Sequence, residues 1–319
     1  MNILFIHPRK GLFQLTRCQD CGHKFMCENC DANLTTYRVF ETNMQLICNQ
    51  CQSCYNYPVT CPKCLSKEVN SMFGGIDDLI ETIEKEYKEK VTKIDSKTKD
   101  IFSFVENTNE NQDKKNIFAT TRVFDPSLDY TIFDKIVIIK AENLCASPDY
   151  LVSEDTHHNL AGLFLSVGEN TEIILDTEDP ESDFFVKLAR LNEQHLDKQG
   201  ILEWFLEFVK EEKSNREKFG FPPFMNLILL TTQQKTKEKS IQNITTAKQY
   251  LMSQKSGLPN IKIGSPYQAK FFRRKGMFSH HLLVKYPRQY EHYFELQSII
   301  KHTASCYSLQ VRLNPRHLF

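Results

Sequence analysis

Eight cysteines fall in four C-x-x-C pairs: Cys18 with Cys21, Cys27 with Cys30, Cys48 with Cys51, and Cys61 with Cys64. Five, seventeen and nine residues separate successive pairs. A C-x-x-C turn sets two thiols on one side of the chain, and two such turns make a closed four-thiolate site for a structural metal ion. Four pairs therefore predict two sites and two Zn2+ ions. Gly22, Asp31 and Pro62 beside the pairs suit knuckle turns. The spacings favour a nested assignment, with Cys18, Cys21, Cys61 and Cys64 in one site and Cys27, Cys30, Cys48 and Cys51 in the other. Five residues are tight for one ribbon, whereas seventeen accommodate a hairpin. Two other chemistries compete. Cys48, Cys51 and Cys54 are spaced like part of a ferredoxin run and Cys61 precedes a proline, but the six-residue break before Cys61 departs from that pattern. Disulfides are the other, and they belong to oxidising compartments. Cys54 is expected to pack as a small side chain, and Cys145 and Cys306 are expected to be buried.

Structural zinc contributes on the order of 10 kcal/mol of apparent binding free energy, enough to fold a module with little core. The elements around that module read as α/β. Ile3 to Ile6 is a short apolar strand, and after Gly74-Gly75 the residues Ile76, Leu79, Ile80, Ile83 and Tyr87 recur at helical spacing. Val91 to Ile94, Ile117 to Thr121, Ile136 to Ile139 and Glu172 to Leu175 are further strands, their continuous apolar character suiting a parallel sheet covered on both faces. Residues 95–116 are polar and read as a helix fragment plus loop; 149–167 and Phe184 to Phe208 read as helices. Phe219 to Phe224 breaks the alternation. Beyond it come a strand (Asn226 to Thr232), a helix (Lys235 to Met252), two strands (Ile261 to Phe272 and Phe278 to Tyr286), a helix (Gln289 to Ala304) and a strand (Tyr307 to Leu313). That βαββαβ order is the ferredoxin-like α+β arrangement. The expected division is 1–17 with 65–218 as the α/β domain, 18–64 as the metal-binding insertion, and 219–319 as the C-terminal domain.

The 319 residues carry 40 basic and 40 acidic side chains, so bulk charge gives no reason to expect nucleic acid, and any footprint must be a local patch. One such patch is Lys270-Phe271-Phe272-Arg273-Arg274-Lys275, in which Lys270, Phe272, Arg273, Arg274 and Lys275 could contact phosphates and stack bases. The competing reading is a solvated hairpin turn with its aromatics in the core. Lys24 and Lys63 are secondary candidates. His280 and His281 are adjacent on a strand, so their side chains point to opposite faces and do not pair on a metal. His157-His158 reads as a solvated pair and Trp204 as core. No apolar run is long enough to span a bilayer, and Ile3 to Ile6 is too short for a signal-peptide core. With clustered cysteines read as metal ligands, the expectation is a cytoplasmic protein without a membrane partner.

The cysteine pattern resembles the zinc insertion of the PriA family, the primosomal helicases of bacterial replication restart. Further segments are similar to motifs of that family. Ile3 to Arg17 resembles the strand leading into the insertion, Gly74-Gly75-Ile76-Asp77-Asp78-Leu79 a worn G-T-x-x-L motif, and Lys93-Ile94-Asp95-Ser96 the R-x-D segment. Ser147-Pro148-Asp149-Tyr150-Leu151-Val152-Ser153-Glu154-Asp155 resembles P-D-F-R-A-x-E-R. Phe221-Pro222-Pro223-Phe224 resembles the Y-P-P-F entry to the C-terminal domain. Gly264-Ser265-Pro266 through Lys285 resembles the G-P-x-P…G-x-Y-R…L-L-L-K strands, and Leu313-Asn314-Pro315 a final V-x-P turn. The resemblance implies a RecA-like second helicase lobe around the zinc insertion. It also implies branched or single-stranded DNA, replication restart proteins and single-stranded-DNA-binding protein as partners.

The departures bear on mechanism. No G-x-x-x-x-G-K-[ST] phosphate cradle occurs in the chain, so no ATP is expected as cofactor. Leu151 and Asp155 stand where the family has two arginines. Asn159-Leu160-Ala161-Gly162-Leu163-Phe164-Leu165-Ser166 is the nearest text to Q-V-A-G-R-A-G-R. Those arginines would neutralise charge on a transferring phosphoryl group. The chain opens at a methionine just ahead of the lobe-two strand, so a missing first lobe and N-terminal DNA-binding domain are expected rather than an internal deletion. Gly276-Met277-Phe278-Ser279-His280-His281 replaces G-R-Y-R-W-Q, which removes two arginines from the implied contact with single-stranded-DNA-binding protein. The expected function is a non-catalytic, zinc-containing DNA-binding or primosome-docking module. The alternatives are the second-lobe half of a split ATP-dependent helicase, and a zinc scaffold for replication proteins that does not touch DNA.

Overall fold

The computed structural model describes residues 1–40, 43–94, 115–193 and 198–318. The loop and helix fragment expected from residue 95 onward, and the Asp95-Ser96 part of the R-x-D-like segment, lie outside the described residues up to residue 114.

Five parallel strands form the first sheet, in the order β10 (Glu172–Leu175), β9 (Lys135–Ile138), β1 (Asn2–Ile6), β8 (Asn116–Thr120), β7 (Val91–Ile94). β1 takes the central place because it is apolar on both sides. Leu4 and Ile6 join Phe118, Ile136 and Ile138 on one face, while Ile3 and Phe5 join Ile117, Ala119 and Val137 on the other. Helix α1 (Ile76–Tyr87) covers the second face through Ile76 and Ile83. The first face is covered by α2 (Val152–Ser166), α3 (Asp183–Glu193) and α4 (Lys198–Phe219), which bring in Leu160, Leu163, Leu188, Ile201 and Trp204. His157 corrects an expectation. It is not solvated: its ring stacks on Phe208 with centroids 3.7 Å apart, and its Nδ1 lies 2.7 Å from the Ser153 carbonyl oxygen. Its spacing from Leu160, Ala161 and Phe164 puts it on the buried face of α2.

The second sheet is antiparallel, in the order β5 (Cys54–Asn56), β4 (Asn43–Ile47), β3 (Thr35–Phe40), β2 (Phe13–Cys18), β6 (Val69–Gly74). β2 and β6 pair from Phe13 with Gly74 to Cys18 with Val69, so the cysteine module leaves and rejoins the first unit at one root. There the Gly75 N–H donates to the Leu12 carbonyl at 2.8 Å and the Ile76 N–H to the Arg9 carbonyl at 2.9 Å. These bonds occupy amides that a helix N-terminus otherwise leaves unpaired. The approach is close enough that a Cβ at Gly75 would lie 2.2 Å from the Gly11 carbonyl oxygen.

The third sheet is also antiparallel, with β12 (Lys262–Ile263), β14 (Met277–Pro287), β11 (Met225–Gln234) and β15 (Gln310–Leu313) in that order, and β13 (Tyr267–Arg274) paired on β14. Helices α5 (Lys237–Ser253) and α6 (Tyr293–Cys306) place Ile244, Leu251, Leu296 and Ile300 against Ile228, Leu230, Leu282 and Val284. The single strand expected over Ile261 to Phe272 is two strands. Pro266 has no N–H to give to a ladder, and the chain breaks at Gly264-Ser265-Pro266. Cys54, Cys145 and Cys306 are exposed rather than buried. Cys54 opens an edge strand of three residues, Cys145 closes a short 3-10 turn (Ala141–Cys145), and Cys306 ends α6. Among the described residues no helix is long and apolar enough to cross a membrane.

His280 and His281 do point apart: Nδ1 of His280 lies 2.8 Å from the Ser240 hydroxyl, and Nδ1 of His281 lies 2.9 Å from the Thr231 hydroxyl. Burial, with Arg312 and His280 adding to it, pushes the His281 imidazole down to about 4. The folded chain thus keeps His281 neutral while the unfolded chain protonates it below about 6.5. Its contribution is complete above about pH 6.5 and is lost on the way down to about pH 4, by about 3 kcal/mol. Urea unfolding of the C-terminal unit, followed by amide exchange in β11 and β14, should show this slope. His281→Gln should flatten it while lowering stability at pH 7.

Candidate metal centres

Each C-x-x-C pair folds into the same knuckle. The amide after the pair donates back to the first cysteine's carbonyl: Gly22 to Cys18 at 3.0 Å, Asp31 to Cys27 at 2.9 Å, Gln52 to Cys48 at 2.8 Å and Leu65 to Cys61 at 2.9 Å. The amide of that first cysteine donates in turn to the residue five positions on: His23, Ala32, Ser53 or Ser66. The closing residue is left-handed every time, with φ of 70° at Gly22, 50° at Asp31, 64° at Gln52 and 60° at Leu65. Glycine and aspartate suit that region, and the sequence marks them. Gln52 and Leu65 carry no such mark, because a left-handed conformation costs an ordinary side chain roughly 1–2 kcal/mol.

The knuckles meet in nested pairs. Cys18, Cys21, Cys61 and Cys64 form the first centre, and Cys27, Cys30, Cys48 and Cys51 the second, the sulfurs of each within 4.8 Å of one another. Cys18 to Cys64, Cys21 to Cys61 and Cys27 to Cys51 are each 3.6 Å apart. A metal–sulfur bond of about 2.3 Å implies a tetrahedron with edges of about 3.8 Å, whereas a disulfide needs about 2.05 Å. The donor set therefore fits one tetrahedral ion per centre. Cys18, Cys48 and Cys61 are fully buried, and around the second centre Leu34, Leu46, Phe25, Tyr55 and Tyr57 supply the module's apolar cluster. As thiols the four would be ill-matched. Burial pushes Cys30 up to about 12, while hydrogen bonds from Ser53 bring Cys51 down to about 6. A cation at the centre favours thiolate at all four positions. With four protein ligands each site is closed, which is the structural rather than the catalytic type.

The candidate DNA contacts divide. Lys270, Arg274 and Lys275 are exposed, as are Lys24 and Lys63. Phe272 packs edge-on against Phe278 and His280, with centroids 5.3 and 5.1 Å away. Arg273 reaches the carboxylate of Asp31 at 3.1 Å, beside the second centre, and lies over the Phe278 ring. Nothing in the sequence ties Asp31 to a residue 242 positions away.

Metal analysis of the purified chain should find two ions per molecule, and Cys48→Ser should leave one. Stripping both should unfold the module, since closed sites supply on the order of 10 kcal/mol each, and should leave β11, Ser279 to Pro287 of β14, and β15 protected from exchange. A full complement of metal in Cys48→Ser would contradict the grouping.

No known family model matches the chain. Among curated proteins, replication restart protein PriA of Thermotoga maritima is 26% identical over 292 residues, 89% of this chain and 36% of that protein. PriA of Synechocystis sp. is 24% identical, covering 98% of this chain and 37% of its own length. PriA of Borreliella burgdorferi is 25% identical, covering 76% and 35%. The chain thus spans about a third of the length of the curated relatives it matches. Across parallel sheet, cysteine module and C-terminal unit alike, this chain is similar to a C-terminal portion of the replication restart protein PriA.

Proposed function

We propose that this chain serves replication restart as a PriA-like module that holds two structural Zn2+ ions, binds branched or single-stranded DNA or docks primosome proteins, and does not hydrolyse ATP. In this reading the parallel-sheet unit is a RecA-like second lobe without its motor residues, and the antiparallel C-terminal unit is the ferredoxin-like PriA domain. The observation that carries the reading is the fate of the positions where the family has arginines. Leu163 is fully buried in the core beneath the sheet, and the Ser166 hydroxyl donates to the Gly162 carbonyl at 2.7 Å within its own helix. A guanidinium could not replace Leu163 and still reach a nucleotide. Asp155, at another such position, pairs with Arg316 of the C-terminal tail. Both cysteine quartets, by contrast, are complete.

DNA contact is assigned to Lys270, Arg274 and Lys275, the exposed cations of the β13–β14 hairpin, with Arg273 left to Asp31. Fluorescence anisotropy with a forked duplex tests this. Replacing the three by alanine should weaken binding about tenfold at moderate salt and reduce the slope of log K against log salt by about 3. Absence of binding even at low salt would favour the scaffold alternative. DNA-stimulated ATP hydrolysis by the purified chain would overturn the non-catalytic reading; hydrolysis only with a second, Walker-A-bearing chain would favour the split helicase.

A further inference from the structure

The turn between β13 and β14 is Lys275-Gly276, with φ of 50° and 76°. Two successive left-handed residues are the signature of the tight mirror-image hairpin turn, which matches strand twist. Amides at such a tip are available to partners outside the hairpin. Here that of Gly276 finds one on a knuckle of the second centre. The Gly276 N–H donates to the Asn29 carbonyl at 2.9 Å. Arg273, just before the turn, forms the ion pair with Asp31, the left-handed residue that closes this knuckle. Asn29 and Asp31, on either side of Cys30, are thus held by two residues of one hairpin more than 240 positions away in the chain.

The charges explain why a cationic hairpin goes there. A divalent ion with four thiolates has a formal charge of −2. A guanidinium beside the site offsets that charge, and outer contacts of this kind fix ligand orientation. Nε of Arg273 is buried without a hydrogen-bond partner among the described residues. A buried unpaired donor is costly, and this one is retained in a side chain whose other nitrogen faces the anionic knuckle.

We propose that the β13–β14 hairpin completes the second metal centre, with the Gly276 amide and Arg273 acting as positioning groups for the knuckle that carries Cys30. The ion at that centre therefore fastens the C-terminal unit to the cysteine module. The first centre, at the open end of the β2–β6 ladder, has no part in this joint. By linkage, whatever loosens the hairpin loosens the ion, and removing the ion frees the hairpin. The inference does not depend on DNA binding and goes beyond the proposed function.

Two measurements on the full chain test both directions. In the loaded protein, Arg273→Ala should speed chelator-driven release of one ion per molecule by about tenfold, within the range for loss of an outer contact, and leave the other at its original rate. Arg273→Lys should restore part of the difference, since it keeps the charge without the fork. Amide exchange in β11 monitors that the C-terminal unit stays folded. In the reverse direction, removing metal should raise exchange at 273–278 and leave Gln310–Leu313 unchanged. Cys61→Ser with Cys64→Ser, which disables only the first centre, should leave 273–278 protected. Unaltered release of both ions from Arg273→Ala, hairpin protection that survives metal removal, or hairpin loosening in the first-centre variant would each overturn the proposal.

Discussion

Four thiols held within 4.8 Å of one another need a cation between them before they can all ionise, and this chain gathers four thiols in that way twice in one small module. The module has few apolar residues, and those it has gather at the second centre. Its sheet is narrow, with β5 only three residues long and β2 joined to β3 by a single registered pair, Phe13 with Thr36. Hydrogen bonding on that scale holds little by itself. The knuckles turn the problem into coordination: each fixes two sulfurs by backbone bonds alone, and one ion then joins two knuckles distant in sequence. The nested order follows the sheet. The outer knuckles stand at the open end of the β2–β6 ladder, Cys18 being its last residue, and the inner ones flank the β3–β4 hairpin.

The parallel-sheet unit also meets the C-terminal unit through side chains of one loop and the helix that follows it. Segment 147–155 now grips the end of the chain. Asp149 accepts from the Leu318 amide at 3.3 Å and pairs with His317 at 3.1 Å, and the Tyr150 hydroxyl donates to the Pro315 carbonyl at 3.2 Å. The Tyr150 ring stacks on Phe221 at the entry to the C-terminal unit, with centroids 4.9 Å apart. Arg216 ties Glu154 to Glu212 in the same region. The C-terminal unit is thus anchored at both ends of its sheet: by its tail on the parallel-sheet unit and by its hairpin on the second metal centre.

Much of this was legible in one dimension because its causes are local. The C-x-x-C spacing sets which sulfurs share a turn, and the lengths between pairs favour nesting. The apolar runs Ile3 to Ile6 and Ile136 to Ile139 mark strands covered on both faces. His280 and His281 diverge because adjacent strand residues must. The failures were equally physical. Gln52 and Leu65 adopt a left-handed backbone that their own types disfavour, so no local signal announces them. His157 looked solvated beside His158 because a histidine pair carries no phase; only the helix face it shares with Leu160 and Phe164 buries it. Cys145 and Cys306 looked buried by type and are exposed by position.

The sequence alone thus marked the eight cysteines that gather into two quartets, and the alternation of strands and helices around them, since each depends on residue type and short-range spacing. Tertiary structure decided what those cysteines are attached to. That Arg273 answers Asp31, and that the Gly276 amide reaches the Asn29 carbonyl rather than solvent, depends on where two folded units come to rest against each other. A contact between residues 242 apart leaves no trace in the local pattern of either, so the patch that reads as four free cations resolves into three exposed ones and one already committed.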